Sequence, residues 1–189
     1  MLNKESLLHI RKQAALWSRE LLKRDPDTWV ILDTETTGLG NNAEVIQIGV
    51  IDSRGNVLMD NVLVKPTIPI PADATAIHHI TNEMVQDAPS FLDVMPQLRE
   101  VVEGKLLVIY NAQYDMRLLV QSGKAHGAYL EIGIEGFTCV MLQYAEWFGD
   151  WNDYHKSFRW QKLQGGDHSA LGDCRATLEV IKKMADSEQ

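Results

Sequence analysis

A chain of 189 residues with 45% hydrophobic and 23% charged side chains has the make-up of a folded globular domain, which excludes a disordered polymer. Its net charge of −8 argues against a simple polyanion-binding module, since such surfaces are usually basic. The longest apolar run, Leu106 to Tyr110, is far short of the ~20 residues that span a membrane. The amino terminus alternates charged and apolar residues without a signal-peptide core. Cys139 and Cys174 make neither a disulfide framework nor a zinc spacing, so a reducing cytoplasm is the expected compartment.

Charge is unevenly spread. Residues 1–24 hold Lys4, Arg11, Lys12, Arg19, Lys23 and Arg24 against Glu5 and Glu20, a balance of +4 that leaves −12 on the remainder. In the same stretch Leu7, Ile10, Ala14, Trp17 and Leu21 recur every three or four residues, which predicts an amphipathic helix. Asp25-Pro26 ends it, because the residue before proline is pushed out of the helical region. Such a helix suits a membrane surface, a nucleic acid or a docking role. The expectation is docking, with the charged face in water. The chain thus divides into a basic helical appendage, residues 1–26, and a domain over residues 27–189.

A short buried strand is predicted at Trp29–Leu32. Strands at Val45–Ile51 and Val57–Val64, joined by Ser53-Arg54-Gly55-Asn56, read as an antiparallel hairpin. Pro66, Pro69 and Pro71 mark a loop, followed by helical patterns at Asn82–Gln86 and Ser90–Glu103. Another buried strand covers Lys105–Tyr110, and a helix runs from about Ala112 to Gln121. A strand near Phe137–Val140 leads into a helix ending near Phe148. The last helix, Ser169–Ala185, carries a stripe of Leu171, Cys174, Leu178, Ile181 and Ala185. Strands followed by alternating helices and strands predict a mixed α/β sheet flanked by helices.

Four carboxylates stand out along this framework. Asp33 and Glu35 follow the first strand in LDTETTG, two residues apart and therefore on one face. Like charges at a strand end raise each other's pKa unless a cation sits between them. Asp115 falls one turn after Asn111, which stands at a strand-to-helix junction where an N-cap is expected. Asp173 flanks the apolar stripe of the last helix, and His168 precedes that helix by a turn. Gly38-Leu39-Gly40-Asn41-Asn42-Ala43 fits a dinucleotide-binding fingerprint, but the period-two pattern after it predicts a strand where that motif requires a helix. Four carboxylates without a cysteine or histidine cluster form a hard oxygen site suited to Mg2+ or Mn2+.

These strings resemble the DEDD exonucleases of the DEDDh branch, a DnaQ-like family with a ribonuclease H-like fold. The likeness lies in LDTETTG with Asp33 and Glu35, NAQYD with Asp115 and HSALGD with His168 and Asp173, in that order over about residues 29–185. The segments EVIQIG and AIHHIT also match, whereas Tyr114, Tyr110 and His79 stand where the family often has Phe, His and Gly.

The resemblance implies a metal-dependent 3′→5′ exonuclease that releases nucleoside 5′-monophosphates from nucleic acid 3′ ends, with single-stranded DNA or DNA 3′ ends ahead of RNA. It implies two ions, Asp33 bridging both, Glu35 and Asp173 helping to hold the nucleophile-side ion, Asp115 helping to position the second, and His168 taking the proton from water. It places Thr36, Leu39, Ile77, His78 and Asn111 around the terminal nucleotide. Two rivals are a ribonuclease H-type endonuclease and a subunit working through a polymerase or repair partner.

Residues 147–160 gather Trp147, Phe148, Trp151, Tyr154, Phe158 and Trp160 with His155, Lys156 and Arg159. This segment reads either as a single-strand stacking platform or as a packed lid anchoring His168. The lid is the expectation, since aromatics are more often buried than displayed.

Overall fold

The computed structural model describes residues 2–187. Strand β1 (Trp29–Thr36) is the centre of a five-stranded sheet with the order β3-β2-β1-β4-β5. β2 (Val45–Asp52) and β3 (Val57–Leu63) form the hairpin, antiparallel to β1 and to each other. β4 (Leu106–Ile109) and β5 (Gly136–Cys139) run parallel to β1 on its other side. The sheet is therefore mixed, as the pattern of strands then alternating elements predicts.

Alternation along β1 feeds two cores. Trp29 and Ile31 pack with helices α1 (Lys4–Lys23), α6 (Val140–Phe148) and α7 (Ala170–Ala185), while Val30 and Leu32 face α4 (Phe91–Val102) and α5 (Ala112–Ala125). α4 starts with a reciprocal cap: Asp93 N–H donates to the Ser90 hydroxyl, and Asp93 accepts from Ser90 N–H. The proline-rich loop also contains a short helix absent from the sequence expectation, α2 (Ala72–His78), followed by α3 (Asn82–Val85). A small hairpin, β6 (Trp151–Asn152) and β7 (Ser157–Phe158), stands apart from the main sheet.

The amino-terminal helix docks. Ala14, Ala15, Ser18 and Leu21 are buried against α6 and α7, the small side chains bringing the helices close. Arg19 donates from Nε to the Ala185 carbonyl at 2.8 Å and from Nη2 to the Ser187 carbonyl at 2.7 Å. These bonds satisfy orphan acceptors at the negative end of α7.

The other end of α7 is seated by the hairpin. Ala170 N–H donates to Gln47 Oε1 at 3.0 Å, Leu171 N–H to Asn61 Oδ1 at 2.8 Å, and Gly172 N–H to the Ser169 hydroxyl at 3.1 Å. Three donors of the first turn thus find side-chain acceptors. The approach is close because β2 carries Gly49: a Cβ there would stand 2.6 Å from both Ala170 C and Leu171 N. Gly49→Ala should therefore lower stability by about 1–3 kcal/mol or more through overpacking against a helix backbone. A calorimetric melt checks this against Gly136→Ala, whose Cβ meets nothing within 4 Å and should be nearly neutral.

Candidate active site

The seating of α7 decides where Asp173 goes. Asp33 and Glu35 share the β1 face of Trp29 and Ile31, the face that α7 covers. One carboxylate oxygen from each of Asp33, Glu35 and Asp173 lies within 4.8 Å of the other two. Asp173 Oδ1 accepts the N–H groups of Asp167 at 3.1 Å and His168 at 3.3 Å. At Gly166 a Cβ would stand 2.5 Å from that same oxygen, so the loop folds over Asp173 with glycine there.

Asp115 reaches the site from the opposite face. It lies in the first turn of α5 and is 3% exposed. Its Oδ1 accepts from the hydroxyl of Thr34, which points to the α5 side of β1, at 2.7 Å. Asp115 therefore shares the end of the sheet with the other three acids, while the close trio leaves it out. Asn111 occupies the N-cap position of α5, but its side chain makes no capping bond. It lines the cleft instead.

The electrostatics follow from burial and crowding. Burial pushes Asp33 well above its ordinary value, and Asp115, Asp173 and Glu35 push in the same direction. Burial, then Asp173 and Asp115, raises Glu35 to about 8. Burial raises Asp115 to about 7 against the bond from Thr34. Asp173 is raised by burial against its two N–H donors. Among the described residues no Lys or Arg forms an ion pair with any of the four. Oxygen-only donors, crowded and without a counter-charge, fit a hard divalent cation.

The four acids line a cleft of about 770 Å³ with His168, Leu39, Asn111 and Tyr114. His168 is exposed at the rim, with φ of +60°. Leu39 is 81% exposed on a loop held from α5: Gln121 donates to the carbonyls of Gly40 and Ala43. Thr36 sits beneath that loop, its hydroxyl 2.7 Å from the Tyr114 hydroxyl, which donates to Gly38 O at 2.9 Å. Ile77 and His78 lie on α2 and are not among the residues lining this cleft. His78 is buried, its Nδ1 accepts from Ile80 N–H, and its Nε2 has no partner. Burial pushes its imidazole down. His79 ends α2 at φ of +61°, a left-handed conformation that favours glycine.

Sequence reasoning missed Gln47, Asn61, Thr34 and Gly166. Gln47 was visible as the polar residue inside an otherwise apolar strand, but its partner is 123 residues away. The packed-lid expectation for residues 147–160 is corrected. Trp147 is buried, yet it packs with α1, where Arg11 lies 4.6 Å over its ring. Phe148, Tyr154 and Trp160 are exposed.

The sequence profile of the RNase T exonuclease family matches residues 30–181. The chain belongs to this exonuclease family. It is 42% identical to the uncharacterized exonuclease CP81 of Escherichia phage 186, over 84% of this chain and 89% of that one. A DNA polymerase III PolC-type protein of Caldanaerobacter subterraneus is 31% identical over 85% of this chain but only 12% of its own length. Among solved structures, exonuclease X in complex with 5′ overhanging duplex DNA superposes with a TM-score of 0.57 and 27% identity, covering 85% of this chain and 95% of that one. The ribonuclease H-like fold and metal-dependent exonuclease activity expected from the sequence are thus borne out. No described helix is long and apolar enough to cross a membrane.

The raised acids set the sign of a pH effect. Unfolded carboxyls titrate near about 4, whereas Glu35 and Asp115 hold protons up to about 8 and 7 in the fold. Their contribution to stability is present at low pH and lost as pH rises through those values. In EDTA the melting temperature should fall between about pH 5 and pH 8, and Mg2+ or Mn2+ should raise it more at the upper end, where protons no longer compete. Scanning fluorimetry across this range checks it, with Glu35→Gln flattening the metal-free profile. An unsloped profile in EDTA would count against the crowding of these acids.

Proposed function

We propose that the chain is a 3′→5′ exonuclease of the DEDDh branch, with Asp33, Glu35, Asp115 and Asp173 holding two Mg2+ or Mn2+ ions and His168 as general base. The observation that carries this reading is the meeting of Asp33, Glu35 and Asp173 oxygens within 4.8 Å at a sheet end, with His168 on the rim of the same cleft. When bound, the ions supply Lewis-acid polarisation of the phosphate and acidification of water. Asp33, between the other acids on its own face and Asp115 beyond the strand, would help to hold both ions. His168 accepts the proton of the attacking water from the open side, where its ring exchanges that proton with solvent. Leu39 and Asn111 bound the terminal nucleotide inside the cleft, and Thr36 acts through the loop that Tyr114 braces. Ile77 and the unpartnered Nε2 of His78 would meet the nucleotide from α2. Products are nucleoside 5′-monophosphates, and the expected substrate is a DNA 3′ end, as the DNA complex of exonuclease X supports.

Helix α1 lies outside the matched residues 30–181, which supports a division into residues 1–26 and 27–189. The PolC-type relative supports a polymerase as partner. The two unpaired cysteines are compatible with a cytoplasmic setting.

The test uses 5′-labelled single- and double-stranded DNA and RNA with Mg2+, Mn2+ or EDTA. A ladder shortening from the 3′ end, absent in EDTA and in Asp33→Ala, is the expected result. Internal cleavage would favour the endonuclease instead. His168→Ala should lower turnover by ~10²–10⁴ and remove the acidic limb of the pH–rate profile, with metal binding retained. Unchanged turnover in that variant would withdraw the base role.

A further inference from the structure

Apart from the carboxylates, one stretch beside the cleft combines exposure, aromatic area and positive charge. Residues 155–162 read His-Lys-Ser-Phe-Arg-Trp-Gln-Lys, with no acid among them in a chain of net charge −8, although Lys156 pairs with Asp153 at 3.8 Å and Arg159 with Asp150 at 3.5 Å. Trp160 is 66% exposed and lines the same cleft as Asp33 and Asp173, as does Lys162. An indole left mostly in water contributes little to the core, so its hydrophobic area is available to a ligand.

The mount of this indole is fixed on both sides. Arg159 N–H donates to the Asp150 carbonyl at 2.8 Å, and the Tyr110 hydroxyl donates to the Gln161 carbonyl at 2.7 Å. Across the β6–β7 hairpin, Trp151 and Phe158 meet edge to face at 5.1 Å. The hairpin turn presents Tyr154, 88% exposed and edge-on to His155 at 4.8 Å. The backbone is thus anchored at 159 and 161 while the ring between them stays open. With the backbone already fixed, only the side-chain torsions lose freedom when something stacks on the ring.

We propose that residues 154–162 form the contact surface for an unpaired strand upstream of the 3′-terminal nucleotide, with Trp160 stacking on a base and Lys162 drawing in its phosphates. This rests on the exonuclease reading of the carboxylate site and adds the residues of this chain that would hold the strand behind the 3′ terminus. The terminal nucleotide must reach the acids inside the cleft, and Trp160 forms part of that cleft's wall, where it can meet the nucleotides behind. Stacking accepts any base, which suits an enzyme that removes each nucleotide in turn. A paired strand has its base faces covered by neighbours and offers none to the indole. Lys162 offsets part of the repulsion that a polyanion meets on an acidic chain.

The experiment compares the full chain with its Trp160→Ala, Trp160→Phe and Lys162→Ala variants. One substrate is the p-nitrophenyl ester of thymidine 5′-monophosphate, which has no upstream strand; the other is a 5′-labelled single-stranded oligodeoxynucleotide. Trp160→Ala should raise KM for the oligonucleotide about 10- to 100-fold, at least about tenfold more than any loss on the ester, and Trp160→Phe should recover most of it. Lys162→Ala should reduce the slope of log KM against log salt by about 0.7, the value of one single-strand phosphate contact. Equal losses on the two substrates would make Trp160 a support of the cleft and overturn the proposal. No loss on either would also overturn it and leave the surface to a protein partner. If the wild type hydrolyses neither substrate, the exonuclease reading itself fails. Anisotropy of a labelled oligonucleotide with Ca2+ then still decides the surface, because equal affinity of wild type and Trp160→Ala would overturn it.

Discussion

Mutual repulsion of carboxylates is the constraint around which this fold is arranged. Asp33, Glu35 and Asp173 are brought close enough to share a cation, and Asp115 adds its charge from behind the strand. Left alone, such a group would open toward water or hold protons, and the raised values of Glu35 and Asp115 show the second response. Holding the acids in place falls to elements with no flexibility to spare. β1 is the central strand of the sheet, and its first four residues are fully buried. The two helices that bring Asp115 and Asp173 press on it from opposite faces.

The two faces do unequal work. On the α7 side the approach is closer, because Gly49 removes the side chain that would stand between β2 and the helix. Gln47 and Asn61 then satisfy first-turn N–H groups, so the start of α7 is fixed in both depth and rotation. Asn61 accepts a φ of +46° in that role, a backbone strain tolerated where the surrounding structure over-determines it. On the α5 side the Thr34 hydroxyl holds Asp115 and, with backbone hydrogen bonds at Thr34 and Asp115, weakens its affinity for protons. The loop between Thr36 and Ala43 is gripped by Tyr114 and Gln121 of the same helix, so acid and loop move with one element.

Most of the fold was legible in the sequence because its signals are local. Apolar runs gave the strands, the Gly55-Asn56 turn gave the hairpin, and three short acid-bearing strings gave the order of the site. What stayed hidden depends on long-range pairing. No local pattern marks Gln47 or Asn61 as acceptors for a helix more than a hundred residues away. Helix α2 follows a proline-rich stretch and is too short for periodicity to announce it. The separation of Asp115 from the other acids depends on which face of β1 each helix covers, which chain order does not state. The aromatic segment misled because residue type predicts burial only on average: Trp147 met a helix to pack against, and Trp160 did not.

Charge is where the structure most changes the sequence picture. The basic character of residues 1–24 looks available to a polyanion, but part of it is engaged in contacts within the chain. Arg19 holds the end of α7, Arg11 stacks on Trp147, Lys23 pairs with Glu20 and Arg24 with Glu135. The helix is thereby a brace for α6 and α7, and through α7 for the position of Asp173. The attraction a nucleic acid needs must then come from nearer the cleft, where Lys162 lines the wall beside the acids and divalent cations, once bound, would reverse the acids' field.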